Sequence, residues 1–210
     1  MRATLVAGGR RDFDVAWLRR HFAVSPVSVE AVYGDEDARP DPSFLRAAAV
    51  LLPIVARPEG LTVLFTRRTT HLRAHSGQIS FPGGKIEEDD ISEQAAALRE
   101  TEEEVGIAAS SIEVIGRLAD YHTRTGFRVT PVVGLVGVPF TLRIDAREVD
   151  EVFEVPLSFL LDPANHQRHS RELQERQVQY YAIPYRDYYV WGATAGMLIN
   201  FYRHLASGTR

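Results

Sequence analysis

The sequence predicts an α/β protein, a mixed sheet with helices packed on its faces, and three observations carry that reading. Segments with strand-like apolar patterning outnumber segments with helical spacing. The helical segments are inserted between groups of strands instead of forming a separate block. At 210 residues the chain is long enough for one domain with a sizeable core and a small appendage.

Taken in order, DVAWLRRHF (14–22) is a basic helix candidate and VSVEAVY (27–33) an alternating stretch. GDEDARPDP (34–42) is dense in turn and breaker residues and reads as a linker. A boundary there separates an N-terminal extension, 1–42, from a main domain, 43–210. AAVLLPIVA (48–56) and LTVLFTR (61–67) read as strands joined by the turn RPEG. A polar, basic stretch, 69–78, leads to ISFPGGK (79–85), where a proline and paired glycines end a strand abruptly.

A helix is predicted over 92–105. Ser92 is a suitable N-cap, Ala97, Leu98, Thr101 and Val105 form an apolar stripe, and Gly106 stands where a left-handed C-terminal cap wants glycine. IEVIGRLAD (112–120), VTPVVGLVG (129–137), QVQYYAI (177–183) and YYVW (188–191) read as strands. SFLLD (158–162) reads as a short helix and ATAGMLINFYRHL (193–205) as a final amphipathic one. Tyr180, Tyr181, Tyr185, Tyr188, Tyr189 and Trp191 form an aromatic cluster read as core and as a homodimer surface, with stacking on a ligand as the alternative.

Composition removes several classes of function. The absence of cysteine excludes disulfides, thiolate catalysis and cysteine-based zinc sites. A net charge of −4 gives no general footprint for nucleic acid. The apolar run AAAVLLPIVA (47–56) contains Pro53 and falls well short of the ~20 residues of a membrane helix, so no membrane role is expected. MRATLVAGGRRDFDVAW lacks a secretory core, and a cytoplasmic location is expected. No dinucleotide loop, GxxxxGK[ST] or GxSxG occurs.

The chemistry concentrates in RETEEEVG (99–106). Glu100 neighbours Glu103 and Glu104 at i,i+3 and i,i+4, and each such like-charge pair costs roughly 0.2–0.5 kcal/mol on an exposed helix. A solvated acidic face ordinarily intersperses cations at i+4, whereas here only Arg99 is nearby. Three carboxylates converging beside a glycine loop describe an oxygen-only site, which suits magnesium or manganese.

Gly84, Asp90 and Arg99-Glu100-Thr101-Glu102-Glu103-Glu104-Val105-Gly106-Ile107 resemble the Nudix box, G-x5-E-x7-R-E-U-x-E-E-x-G-U with U aliphatic. Asp90 replaces the first Glu, Thr101 replaces an aliphatic residue, and eight residues instead of seven separate Asp90 from Arg99. Upstream, LFTRRTTHLRAHSGQISFPGGK (64–85) is similar to the additional signature L-L-T-x-R-S-x3-R-x3-G-x3-F-P-G-G-x of the coenzyme A pyrophosphatase branch. DEVFEVPLSFLLD (150–162) and WGATAGML (191–198) extend the likeness.

The resemblance implies an α/β/α sandwich and hydrolysis of coenzyme A to adenosine 3′,5′-bisphosphate and 4′-phosphopantetheine. It implies that Glu100, Glu103 and Glu104, with the Gly83 carbonyl, hold Mg2+ or Mn2+, and that Arg99 orients Glu100. Arg68, Arg73, Gly77, Phe81 and Gly84 are implied at the substrate, and Lys85, the chain's single lysine, adjoins the glycine pair where it could meet a phosphate. Arginine offers bidentate geometry for such groups. The general base stays open among Glu100, Glu148 and Glu151, with Glu151 carried in the catalytic set. His71 and His75 have zinc-like spacing but no third ligand, and with Arg67 they read as solvent-facing. Hydrolysis of ADP-ribose or a nucleoside triphosphate, and a non-catalytic nucleotide-sensing module, are the competing readings. The intact box carboxylates speak against the latter.

Overall fold

The computed structural model describes residues 13–24, 45–70, 77–173 and 176–207. Among these, eight strands form one mixed sheet: β1 (Arg46–Arg57), β2 (Gly60–Arg68), β3 (Ile79–Ser80), β4 (Gly83–Lys85), β5 (Ile112–Arg117), β6 (Tyr121–His122), β7 (Phe127–Val136) and β8 (Val149–Pro156). The order is β3-β2-β1-β7-β5, with β4 on β1, β6 on β7 and β8 on β2. β1 and β7 run parallel through ten residue pairs, and the other described pairings in this sheet are antiparallel. Pro53 falls where the edge of β1 passes from β4, which it meets at 48–50, to β2, which it meets at 54–57. A missing N–H costs least in such a gap.

Both faces of the sheet are covered, because the central strands are apolar on both sides. Along β1, Ala48, Leu52 and Ile54 point to one core and Ala49, Leu51 and Val55 to the other. The first core is closed by Leu18 of α1 (Val15–Val24), by Leu157 and Leu160 of α3 (Leu157–Leu160), and by Met197, Leu198, Phe201 and Leu205 of α4 (Gly192–Ser207). The second is closed by Ala96, Ala97 and Val105 of α2 (Glu93–Val105). This is the expected α/β/α sandwich with helices on both faces.

A smaller antiparallel sheet, ordered β11-β10-β9, is built from β9 (Gln167–Leu173), β10 (Arg176–Tyr185) and β11 (Tyr188–Trp191). Its aromatic residues are split in use: Tyr185 meets Phe159 edge-on, while Arg171 stands over both Tyr180 and Trp191. Besides the short β4 and β6, two longer strands escape sequence reading. QRHSREL in β9 has no apolar alternation and forms by pairing with β10. β8 carries Asp150, Glu151 and Glu154 among its apolar residues, which masks its strand character. The alternating stretch 27–33 and the linker 34–42 lie outside the described residues, while Leu18 of the N-terminal region is fully buried. Among the described residues, no helix is long and apolar enough to cross a membrane.

Candidate active site

The acidic helix is fixed at both ends by the residues its sequence singles out. Ser92 Oγ accepts from the Ala95 N–H at 3.1 Å, and Gly106, at φ 76°, returns its N–H to the Glu102 carbonyl. Ala96 joins Ala97, Thr101 and Val105 on the buried face, whereas Leu98 is only partly covered. Thr101 occupies an aliphatic position because its hydroxyl donates to the Ala97 carbonyl at 2.7 Å, one turn back.

That rotation aims the carboxylates in two directions. Arg99 donates to both oxygens of Asp90 at 3.1 and 2.9 Å, to Glu100 Oε1 at 3.1 Å, to Glu103 Oε2 at 3.0 Å and to the Lys85 carbonyl at 3.2 Å. One guanidinium thus contacts three carboxylates while offsetting only one negative charge. Asp90 fastens the pre-helix loop as well, accepting from the Glu87 N–H at 2.9 Å, and these bonds hold its carboxyl below the usual range.

Glu104 points inward and is 3% exposed. Its Oε2 accepts from the Gly83 N–H at 3.2 Å, and Arg68 Nη1 stands 3.4 Å from Oε1. The other end of Arg68 stands 3.5 Å from Glu148. Gly84 lies directly under Glu100: a Cβ there would come within 2.5 Å of the carboxylate. Burial pushes the Glu104 carboxyl up from 4.5 to about 7, against Arg68 and the Gly83 N–H, while Glu100 and Glu148 reinforce the rise. Burial also raises Glu100, opposed by Arg99 and reinforced by Glu103 and Glu148. Glu100, Glu104 and Glu148 therefore share one electrostatic site, with Arg68 at its edge.

The donors fit a hard dication in kind, being oxygens with uncompensated negative charge. Among the described residues, no three His, Asp or Glu side chains are gathered as a ready cage. Magnesium is commonly held by one or two carboxylates with water and substrate phosphates completing the shell, which suits this arrangement.

The structure places the remaining candidate residues as follows. The Glu103 carboxylate shares Arg99 Nη1 with Glu100, at 3.0 and 3.1 Å, and its side chain is 60% exposed. Glu151 shares the parity of Phe153 and Val155 in β8 and so faces the α4 side of the sheet, opposite α2. There it accepts from Tyr188 and pairs with Arg67, and Glu148 is the later carboxylate that meets the site. The period-2 alternation of Glu151, Phe153 and Val155 was the signal for this placement. Phe81 is a core residue, stacked on Phe65 with ring centroids 5.2 Å apart. Gly77, at φ 67°, serves the turn into β3. The side chain of Lys85 is exposed, and Arg73 lies outside the described residues with His71 and His75.

Because Phe81 fills the core, Phe81→Ala should destabilise the protein by about 3–5 kcal/mol. Phe81→Leu should keep kcat/KM per folded molecule within about twofold, which urea titration alongside kinetics would check.

Comparison with known proteins identifies the family. The NUDIX domain family matches residues 45–182, which include α2, the glycine pair and β8. The Nudix hydrolases named NudL, themselves uncharacterized, of Yersinia pestis (strain Pestoides F) and Yersinia pseudotuberculosis (serotype O:1b, strain IP 31758) are each 44% identical over 163 residues. Each alignment covers 77% of this chain and 78% of the relative. The crystal structure of RenU, a Nudix hydrolase from M. smegmatis, is 23% identical, with 62% of this chain and 81% of that one covered and a TM-score of 0.47. The family match and the NudL relatives establish that the chain belongs to the Nudix family and is a hydrolase of pyrophosphate bonds.

Proposed function

We propose that the protein cleaves the pyrophosphate of coenzyme A or a derivative, giving adenosine 3′,5′-bisphosphate and 4′-phosphopantetheine. The observation that carries the chemistry is the buried Glu104, held by the Gly83 N–H, facing Arg68, and sharing its site with Glu100 and Glu148. The narrower substrate rests on the likeness of residues 64–85 to the coenzyme A branch, in which Phe65 and Thr69 replace the signature's Leu and Ser.

Glu100, Glu103 and Glu104, with the Gly83 carbonyl, are the proposed holders of Mg2+ or Mn2+. Bound there, such ions screen phosphate charge and lower the pKa of coordinated water. Arg99 keeps Glu100 in place through its 3.1 Å contact. Arg68 presents a planar fork to the phosphate oxygens, and Arg73 is proposed for the same substrate. Glu148 is the proposed general base, since Glu100 is committed to Arg99 and to the cation. Water attacks one phosphorus, its proton passes to Glu148, and the bond to the bridging oxygen breaks with the electron pair leaving on the departing phosphate.

A substrate panel tests this reading. Coenzyme A, ADP-ribose and nucleoside triphosphates would be incubated with the protein and Mg2+ or Mn2+, and products identified by chromatography. Coenzyme A is expected to show kcat/KM at least about tenfold above the others, a difference of about 1.4 kcal/mol in transition-state binding. Faster cleavage of ADP-ribose would move the substrate to another nucleotide. Tight nucleotide binding without turnover would convert the protein into a sensing module.

A further inference from the structure

The far face of the sheet carries a polar cluster that the hydrolytic scheme leaves unused. Tyr188 of β11 donates to Glu151 Oε1 at 2.7 Å, and its ring lies flat on Phe153 with centroids 3.6 Å apart. The other oxygen of Glu151 meets Arg67 Nη2 at 2.7 Å, while Arg67 Nε reaches Asp150 Oδ2 at 3.3 Å.

These contacts sit on one irregularity of the sheet. Between β2 and β8 the register shifts: Arg67 stands opposite Glu151 and Arg68 opposite Val149, which leaves Asp150 as an extra residue. A bulge of this kind re-aims the chain beyond it, and bulges concentrate beside active sites. The chain just beyond is Glu148, whose carbonyl accepts from the Thr69 N–H at 2.9 Å and whose carboxylate stands beside Arg68. In a regular register Asp150 would face Arg68, and Glu148 would be carried about 3.3 Å along the strand. A proton acceptor displaced that far loses hydrogen-bond reach to the attacking water.

We propose that Tyr188, Glu151 and Arg67 are positioning residues, a clamp on the far face of the sheet that holds the Asp150 bulge and thereby keeps Glu148 beside Arg68 and Glu104. Arg67 grips both the extra residue and the one after it. Tyr188, from the smaller sheet, braces the grip. The inference rests on pyrophosphate hydrolysis with Glu148 as base and is independent of which nucleotide is cleaved.

A double-mutant cycle tests it, run on whichever pyrophosphate substrate the wild type turns over fastest. Tyr188→Phe keeps the ring stack and loses only the hydroxyl. It should lower kcat about tenfold with KM changed less than about twofold, and Glu151→Gln should behave alike. In a Glu148→Gln background, Tyr188→Phe should cost less than about twofold more, because the group it positions is already gone. Equal losses in both backgrounds, or no loss in either, would overturn the clamp. Amide hydrogen exchange gives a readout that needs no substrate: the Thr69 N–H should exchange about tenfold faster in Tyr188→Phe, with β1 amides unchanged. Unchanged exchange at Thr69 would also overturn it. Faster exchange in a protein that cleaves no pyrophosphate would instead sink the hydrolytic reading and leave the clamp standing.

Discussion

Glu104→Gln is expected to lower turnover by about a thousandfold while making the metal-free protein more heat-resistant at pH 8. Both effects come from one buried carboxylate. Among the described residues its neighbours are the Arg68 guanidinium at 3.4 Å, the Gly83 N–H, and two further carboxylates that push the same way as burial. The folded-state value of about 7 lies above the ordinary 4.5, so folding favours the protonated form. Stability from this group is therefore complete below about pH 4.5 and is lost as pH rises through 7. The loss is on the order of 3 kcal/mol above pH 7. Glutamine keeps the shape and the acceptor for Gly83 but never ionises. At pH 8 in a chelator it should recover about 2 kcal/mol and raise Tm by about 4–8 °C, and at pH 5 it should recover almost nothing. Scanning fluorimetry at the two pH values, with and without Mn2+, is the check. A wild type stabilised by Mn2+ beside an indifferent variant is the expected pattern. Equal Mn2+ stabilisation of both would remove Glu104 from the metal site.

Gly84→Ala should abolish activity by about a hundredfold and leave the fold nearly untouched. The added Cβ would lie 2.5 Å from Glu100 Cδ and Oε1, closer than real Cβ atoms approach anything. What gives way is the end of a flexible side chain, so the backbone stays and the carboxylate is expelled. Misplacing a reacting or ligating group by about 1 Å can cost that factor. Gly83→Ala supplies the contrast. Gly83 has φ 148°, and its Cβ would press on the β1 backbone at Ala49 and Val50. Stability should suffer there, while at Gly84 the chemical denaturation midpoint should stay within about 1 kcal/mol of wild type. Retained activity in Gly84→Ala would mean that Glu100 has no need of its present position.

Much of the fold was legible because its signals are local. Ser92 and Gly106 bracket α2 through bonds spanning three or four residues, and the apolar stripe needs only helical periodicity. The central strands announce themselves by apolar runs that are buried on both faces. β9 was not legible, since its polar residues acquire strand geometry only from β10. Glu151 had a readable parity with Phe153 and Val155, but only once 149–156 is known to be a strand. Phe81 belongs to a sequence motif and sits in the core, which shows that motif membership alone does not separate a contact from a support.

The sequence by itself determined the acidic helix, its caps, the glycine pair beside it and the Nudix membership, all carried by spacing within a few dozen residues. Tertiary structure alone decided which carboxylates share a site. Glu148 joins Glu100 and Glu104 because of a one-residue bulge between strands more than 80 positions apart in the chain, Arg68 bridging Glu104 and Glu148 at that point. Register between distant strands is set by the packing of whole faces, and a shift of one residue exchanges the side chains that meet.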